Sequence, residues 1–201
     1  MSSATGMIVM KSLSGNSGAK ATASTIANAP TTWEGKKGLE SLRRLKAGDL
    51  LANGAFRVEK VELVDDYQVV SVALKHLKTG AHWLHIGADD SNNAFNVGFK
   101  TVPMDDTGVA HILEHTTLCG SKNYPVRDPF FNMLRRSLST FMNAMTSADF
   151  TCYPFATMNR VDYDNLLGVY LDAVFFPKLE EQDFRQEGHR FEFAKTEDAS
   201  S

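Results

Sequence analysis

Two cysteines, Cys119 and Cys152, are all that the 201 residues contain. Two thiols cannot supply the framework of bridges on which small secreted domains rely, so a reducing compartment is the default. Long apolar runs are missing as well, and no stretch approaches the roughly 18 consecutive apolar residues that a membrane-spanning helix needs. A basic excess is also missing. The net charge of −3 and pI of about 6.1 leave nothing to neutralise a phosphate backbone, which argues against a nucleic-acid partner. Acidic side chains are absent from residues 1–32, where Lys11 and Lys20 are the only charges. That segment is rich in Ser, Ala, Thr and Gly, and little in it offsets the entropy of ordering. It reads as disordered, either a plain tail or an organelle transit peptide. Transit peptides are acid-poor and Ser-rich but usually Arg-rich, and this segment has no Arg.

The rest has the balance of a globular protein. Hydrophobic residues make up 43% and charged residues 22%, which excludes wholesale disorder. The length fits one domain or two small ones and is enough to bury a core without staples. From Trp33 the chain is charged through Leu51, with one short helix expected at Leu39 to Leu45. Phe56 and Val58, then Val61 and Leu63, alternate with polar neighbours after a one-residue slip. Val69 to Leu77 and Trp83 to Ile86 flank the turn Lys78-Thr79-Gly80-Ala81 and form an expected hairpin. Phe95, Val97 and Phe99 mark a further strand with one buried face. Helices are expected at Val109 to Leu118, at Pro129 to about Leu138, at Tyr163 to Phe175 before Pro177, and at Glu180 to Gly188. Phe141 to Pro154 reads as two short strands.

The chemistry concentrates at His111-Ile112-Leu113-Glu114-His115. Two histidines four apart on a helix project from one face, so both imidazoles can reach one tetrahedral Zn²⁺. Glu114 borders that face, near enough to take a proton from a water that the metal acidifies. The pattern is H-x-x-E-H, the inverted form of the H-E-x-x-H protease helix. The competing reading is an amphipathic helix with surface histidines and a solvated glutamate. Gly108 and Gly120 bound a helix of suitable length, and Val109, Ile112, Leu113 and Leu118 give it an apolar side. Cys119, four after His115, is either a core or redox-sensitive thiol or a further ligand. His76, His82, His85 and His189 have no metal spacing among themselves.

The segment Gly108 to Ser121 resembles the zinc helix of the pitrilysin-type metallopeptidases, the inverzincins. Tyr124 to Phe131, Ser139 to Ala144, Tyr153 to Phe155, Leu171 to Pro177 and Gln186-Glu187-Gly188 resemble the presequence protease and falcilysin branch. The resemblance runs from about residue 40 to residue 193. It implies an α+β domain, an antiparallel sheet with helices packed mainly on one face, over residues 33–201. It implies a zinc endopeptidase that degrades short unfolded peptides such as cleaved targeting peptides, in the mitochondrial matrix first, with plastid or cytosol as the alternatives. In it, His111 and His115 match metal ligands, Glu114 matches the catalytic base, and Asn143 and Ala144 match a strand lining the substrate cleft. The family's third ligand is a downstream glutamate. Glu187 and Glu192 align upstream of its helix and are not assigned to that role. Because such enzymes have four related domains in two halves, the resemblance implies that this chain is a shortened form, lacking the remaining domains that would be its partners. A non-catalytic, partner-binding relative and an inactive truncated product are the alternatives, and the intact motif speaks against the former.

Overall fold

The computed structural model describes residues 6–13 and 39–188. Nine strands form one sheet: β1 (Gly6–Leu13), β2 (Leu50–Leu51), β3 (Phe56–Val64), β4 (Val69–His76), β5 (His82–Ala88), β6 (Asn93–Lys100), β7 (Ser139–Met142), β8 (Met145–Thr146) and β9 (Phe150–Thr157). The order is β2-β3-β4-β5-β1-β6-β9-β7, with β8 also paired to β9. Five α-helices accompany it among the described residues: α1 (Glu40–Arg43), α2 (Val109–Thr117), α3 (Pro129–Leu134), α4 (Arg160–Phe175) and α5 (Glu181–Glu187).

The local pattern explains most elements. The slip between Val58 and Val61 is a register shift between Val58 and Lys60 in the β3–β4 ladder, the signature of one extra residue in a strand. The hairpin of β4 and β5 forms as the turn signal requires, with Val72 opposite His85 and Leu74 opposite Trp83. Asn159 caps α4, its side chain accepting from Asp162 N at 3.0 Å, and Pro177 follows closely on the helix end. α3 stops short of the expected Leu138. Ser137 Oγ donates to Asp162 Oδ2 and accepts from Ser139 N, turning the chain into β7. The Phe141 to Pro154 region holds parts of three strands rather than two.

The expectation of a disordered segment over residues 1–32 fails for Gly6–Leu13, which forms β1. It runs parallel to β5 and antiparallel to β6. The sequence Met7-Ile8-Val9-Met10 is a short β-prone apolar run inside a polar segment. Between β5 and β6 it completes two ladders at once, satisfying both of its backbone edges. Residues 1–5 and 14–32 lie outside the described residues.

Register places the helices on one face. Val72 pairs with His85, His85 with Met10, Met10 with Phe95, and Phe95 with Phe155. Directly paired residues share a face, so the cluster around Val58, Val70 and Val72 and the cluster around Phe95, Phe155 and Tyr170 lie on the same side. α1 contributes Leu42 to the first cluster and α4 contributes Tyr163, Leu166 and Tyr170 to the second. The fold is thus α+β, antiparallel except for the β1–β5 pair.

Candidate metal centre and substrate cleft

Gly108 enters α2 at φ 71°, a left-handed conformation that glycine adopts without a Cβ penalty. Its carbonyl accepts from His111 N and Ile112 N. One turn apart on this helix, His111 Nε2 and His115 Nε2 lie 3.2 Å from each other, and both side chains are largely exposed. Glu114 is buried at 6% exposure, its Oε2 lying 3.9 Å from His111 Nε2. The three ligand atoms fall within 4.8 Å of one another, the one such cluster among the described residues.

The donor set fits a zinc ion. Two Zn–N bonds of about 2.05 Å at a tetrahedral angle separate their nitrogens by roughly 3.3 Å, close to the distance seen here. His115 Nδ1 meets Glu187 Oε2 at 2.9 Å. A carboxylate at Nδ1 keeps the proton there and frees the Nε2 lone pair for a metal. Glu187 is itself held. Gln186 Nε2 donates to its Oε1 at 2.8 Å, and Arg127 Nη2 donates to Gln186 Oε1 at 2.7 Å. The His115 hydrogen bond, then that from Gln186, holds the Glu187 carboxyl below its ordinary range. Glu187 therefore stands behind His115 as its partner, on the side of the ring away from the Nε2 pair. Glu192 lies outside the described residues.

Cys119 donates to His115 O at 3.4 Å and is not in the metal cluster. Burial first, then the charges of Asp183, Asp128 and Glu187, push its thiol up to about 12, which makes it a poor nucleophile. His82 is exposed beside Glu59, and burial pushes His85 below its ordinary range.

A cavity of about 440 Å³ opens beside Glu114 and His115, walled on one side by Leu118, Phe131 and Leu134. Asn143 and Ala144 line it from the junction between β7 and β8, one step outside either strand. Asn143 N donates to Pro154 O at 3.0 Å, and Tyr170 OH donates to Asn143 O at 3.4 Å. The junction is therefore pinned to both β9 and α4. β7 ends the strand order, so one of its backbone edges has no neighbouring strand among the described residues. Sequence reasoning missed the contacts of Glu187 with His115 and of Tyr170 with the Asn143 carbonyl. Only Glu187 had a signal, through its Gln-Glu-Gly segment.

The model of Insulinase (Peptidase family M16) matches residues 94–199. The mitochondrial presequence protease of Xenopus laevis is 54% identical over 169 residues, covering 84% of this chain and 16% of that protein. The mitochondrial presequence protease of Aspergillus oryzae is 63% identical over 135 residues, covering 67% of this chain and 13% of that protein. The chain thus spans about a sixth or less of the length of these relatives. Among solved structures, pitrilysin superposes with a TM-score of 0.56 at 21% identity, over 66% of this chain and 15% of that one.

Proposed function

The chain belongs to peptidase family M16, and from that premise we propose that its site is that of a zinc metalloendopeptidase of the presequence protease type, acting on short unfolded peptides such as cleaved targeting peptides in the mitochondrial matrix. The observation that carries this reading is the pair of Nε2 atoms 3.2 Å apart with the buried Glu114 carboxylate beside them. His111 and His115 would hold zinc, with a third donor from outside the described residues, and the bound ion would supply a Lewis acid and acidify water.

The chain's own residues do the rest. Glu114 accepts a proton from water as the water oxygen bonds to the scissile carbonyl carbon. It then returns that proton to the departing amine nitrogen as the C–N bond breaks. Its burial keeps bulk water from competing for the carboxylate. Glu187 fixes the ring plane and tautomer of His115. The free edge of β7, continued by Asn143 and Ala144, pairs with an extended peptide backbone, which gives affinity with little sequence preference. The Leu118, Phe131 and Leu134 wall takes an apolar side chain next to the cut bond. The mitochondrial names of the relatives support the compartment. A reporter fused to residues 1–32 and imported into mitochondria supports a transit role for that segment, and a cytosolic reporter removes it.

The test of the mechanism uses this chain and a chimera in which residues 39–188 replace the matching segment of the Xenopus laevis presequence protease. Each is assayed on an unstructured peptide, with and without chelator. The chimera is expected to cleave, and Glu114→Gln to keep zinc while losing on the order of 10² to 10⁴ in kcat. Zinc-replete Glu114→Gln at full rate would overturn the mechanism. The chain alone is expected to bind zinc weakly and to show no significant turnover, since catalysis needs all donors held together. Tight, stoichiometric zinc binding by it would place the third donor within this chain.

A further inference from the structure

Glu114 rests on a line of threonines that no step above uses. Thr146 in β8 donates its hydroxyl proton to Glu114 Oε2 at 2.9 Å. Thr146 Oγ1 also lies 3.3 Å from Thr151 Oγ1 in β9, and Thr151 Oγ1 lies 2.8 Å from Thr101 Oγ1, just past the end of β6. A hydroxyl carries one proton. Thr146 commits its proton to the carboxylate, so the contact with Thr151 runs with Thr151 as donor. Thr151 then has no proton left for Thr101, and Thr101 must donate to it. The three hydroxyl dipoles therefore point the same way, toward Glu114, and each strengthens the next.

Backbone pairing fixes the line. Thr146 and Thr151 are directly opposed in the β8–β9 ladder, and Thr101 N donates to Asp149 O at 2.9 Å. Thr151 is 3% exposed and Glu114 6%, while Thr146 and Thr101 are half-buried, so the carboxylate and the middle hydroxyl of the line are shielded from bulk water. The last torsion of a glutamate is broad and roughly two-fold. The helix that carries Glu114 leaves the plane of its carboxylate open, and the Thr146 bond closes that freedom.

We propose that Thr146 is a positioning residue for Glu114, with Thr151 and Thr101 orienting its hydroxyl. The proposal deepens the reading of Glu114 as proton acceptor and rests on it. It assigns the precision of the base to the β6–β9–β8 end of the sheet rather than to the motif helix alone.

The first measurement needs no turnover. The 201-residue chain is labelled with ¹³C at glutamate carboxylates, and Glu114→Gln assigns the Glu114 signal. Thr146→Val, which keeps the shape and removes the hydroxyl, is expected to move and broaden that signal. Thr146→Ser is expected to leave it in place, and Thr101→Val to move it less in the same direction. A Glu114 signal unmoved by Thr146→Val overturns the proposal. The second measurement is peptide cleavage by the chimera. Thr146→Val is expected to lower kcat about 10- to 100-fold at unchanged zinc content, with Thr146→Ser restoring it. KM is expected to stay within about twofold, as befits a loss felt in the transition state. Unchanged kcat in Thr146→Val, where Glu114→Gln abolishes turnover, overturns the positioning role. Full turnover in Glu114→Gln would sink the proton-acceptor reading and the positioning role with it. That case is told apart because the carboxylate signal would still answer to Thr146.

Discussion

On the β6–β9 side of the sheet the buried residues are mostly aromatic, and Phe155 is their hub. Its ring centroid lies 5.3 Å from Phe95, 5.3 Å from Tyr163 and 5.0 Å from Tyr170. On the β3–β5 side they are Leu39, Val58, Val70, Val72 and Leu74, covered by the single short helix α1. Both clusters sit on the same face, yet only the first touches the site. Leu118 at the end of α2 and Ala144 of the cleft pack against it, and Tyr170 reaches from it to the Asn143 carbonyl. Tilted aromatic pairs add about 0.5–1.5 kcal/mol each beyond the area they bury and fix ring geometry. Aliphatic side chains contribute burial without direction. The directional core lies under the chemistry, and the aliphatic core holds the other half of the sheet in place.

Two truncations of equal size test that division. Leu166 and Leu39 are each 1% exposed. Leu166→Ala and Leu39→Ala are each expected to cost about 2–5 kcal/mol in urea unfolding, from lost transfer energy and the cavity left behind. Only Leu166→Ala is expected also to weaken zinc binding in the folded protein. Equal effects of both on zinc would show that the two cores act as one. Next in size is Glu187→Gln in the chimera, which keeps the side-chain shape but removes the charge behind His115. Outer partners of metal-binding histidines are typically worth about 10- to 100-fold in metal affinity. A competition titration that finds no change would remove Glu187 from the site.

How far these halves were legible in the sequence follows from the range of the interactions. The α2 helix was readable because its glycines, apolar side and H-x-x-E-H motif all lie within Gly108 to Gly120. The β3 irregularity was readable because a one-residue slip in alternation is a local signal. β1 was not, since the composition of residues 1–32 outweighs four apolar residues, and the edges that hold β1 belong to strands far along the chain. The bond between Glu187 and His115 joins residues 72 apart, and no spacing rule reaches that far. Thr146, Thr151 and Thr101 are common small residues, and only sheet register lines them up.

A smaller effect is expected from the far half alone. Gly87 lies under α1. A Cβ there would collide with Leu42 Cδ1 and come within 3.1 Å of Leu39 Cδ2. Gly87→Ala is expected to cost about 1–3 kcal/mol, the usual range for overpacking, at the low end because side-chain tips can yield. Zinc affinity is expected to stay unchanged. A metal defect in Gly87→Ala would mean that strain crosses β1 into the aromatic half.

The smallest effect is a pH dependence within the site half. Asp172 on α4 is 7% exposed, and its carboxylate accepts from Asn123 N at 2.8 Å and Asn123 Nδ2 at 2.6 Å. Backbone bonds run alongside, from Lys122 N to Phe176 O and from Lys178 N to Gly120 O. Together they lash the loop that leaves α2 to the end of α4. The Ser121 hydroxyl beside the carboxylate, with the donors of Asn123, holds Asp172 below the ordinary carboxylate range against the opposing pull of burial. A carboxylate whose folded pKa is depressed adds stability above its unfolded pKa and loses it as the pH falls toward the folded value. Asp172→Asn is therefore expected to melt below the wild type at neutral pH. The gap should narrow as the pH drops below about 3.9, the ordinary aspartate value. Melting curves of both proteins between pH 7 and pH 3 read this directly. A gap that stays constant down to pH 3 would show that the loop is held by the backbone bonds and Asn123 without the charge of Asp172.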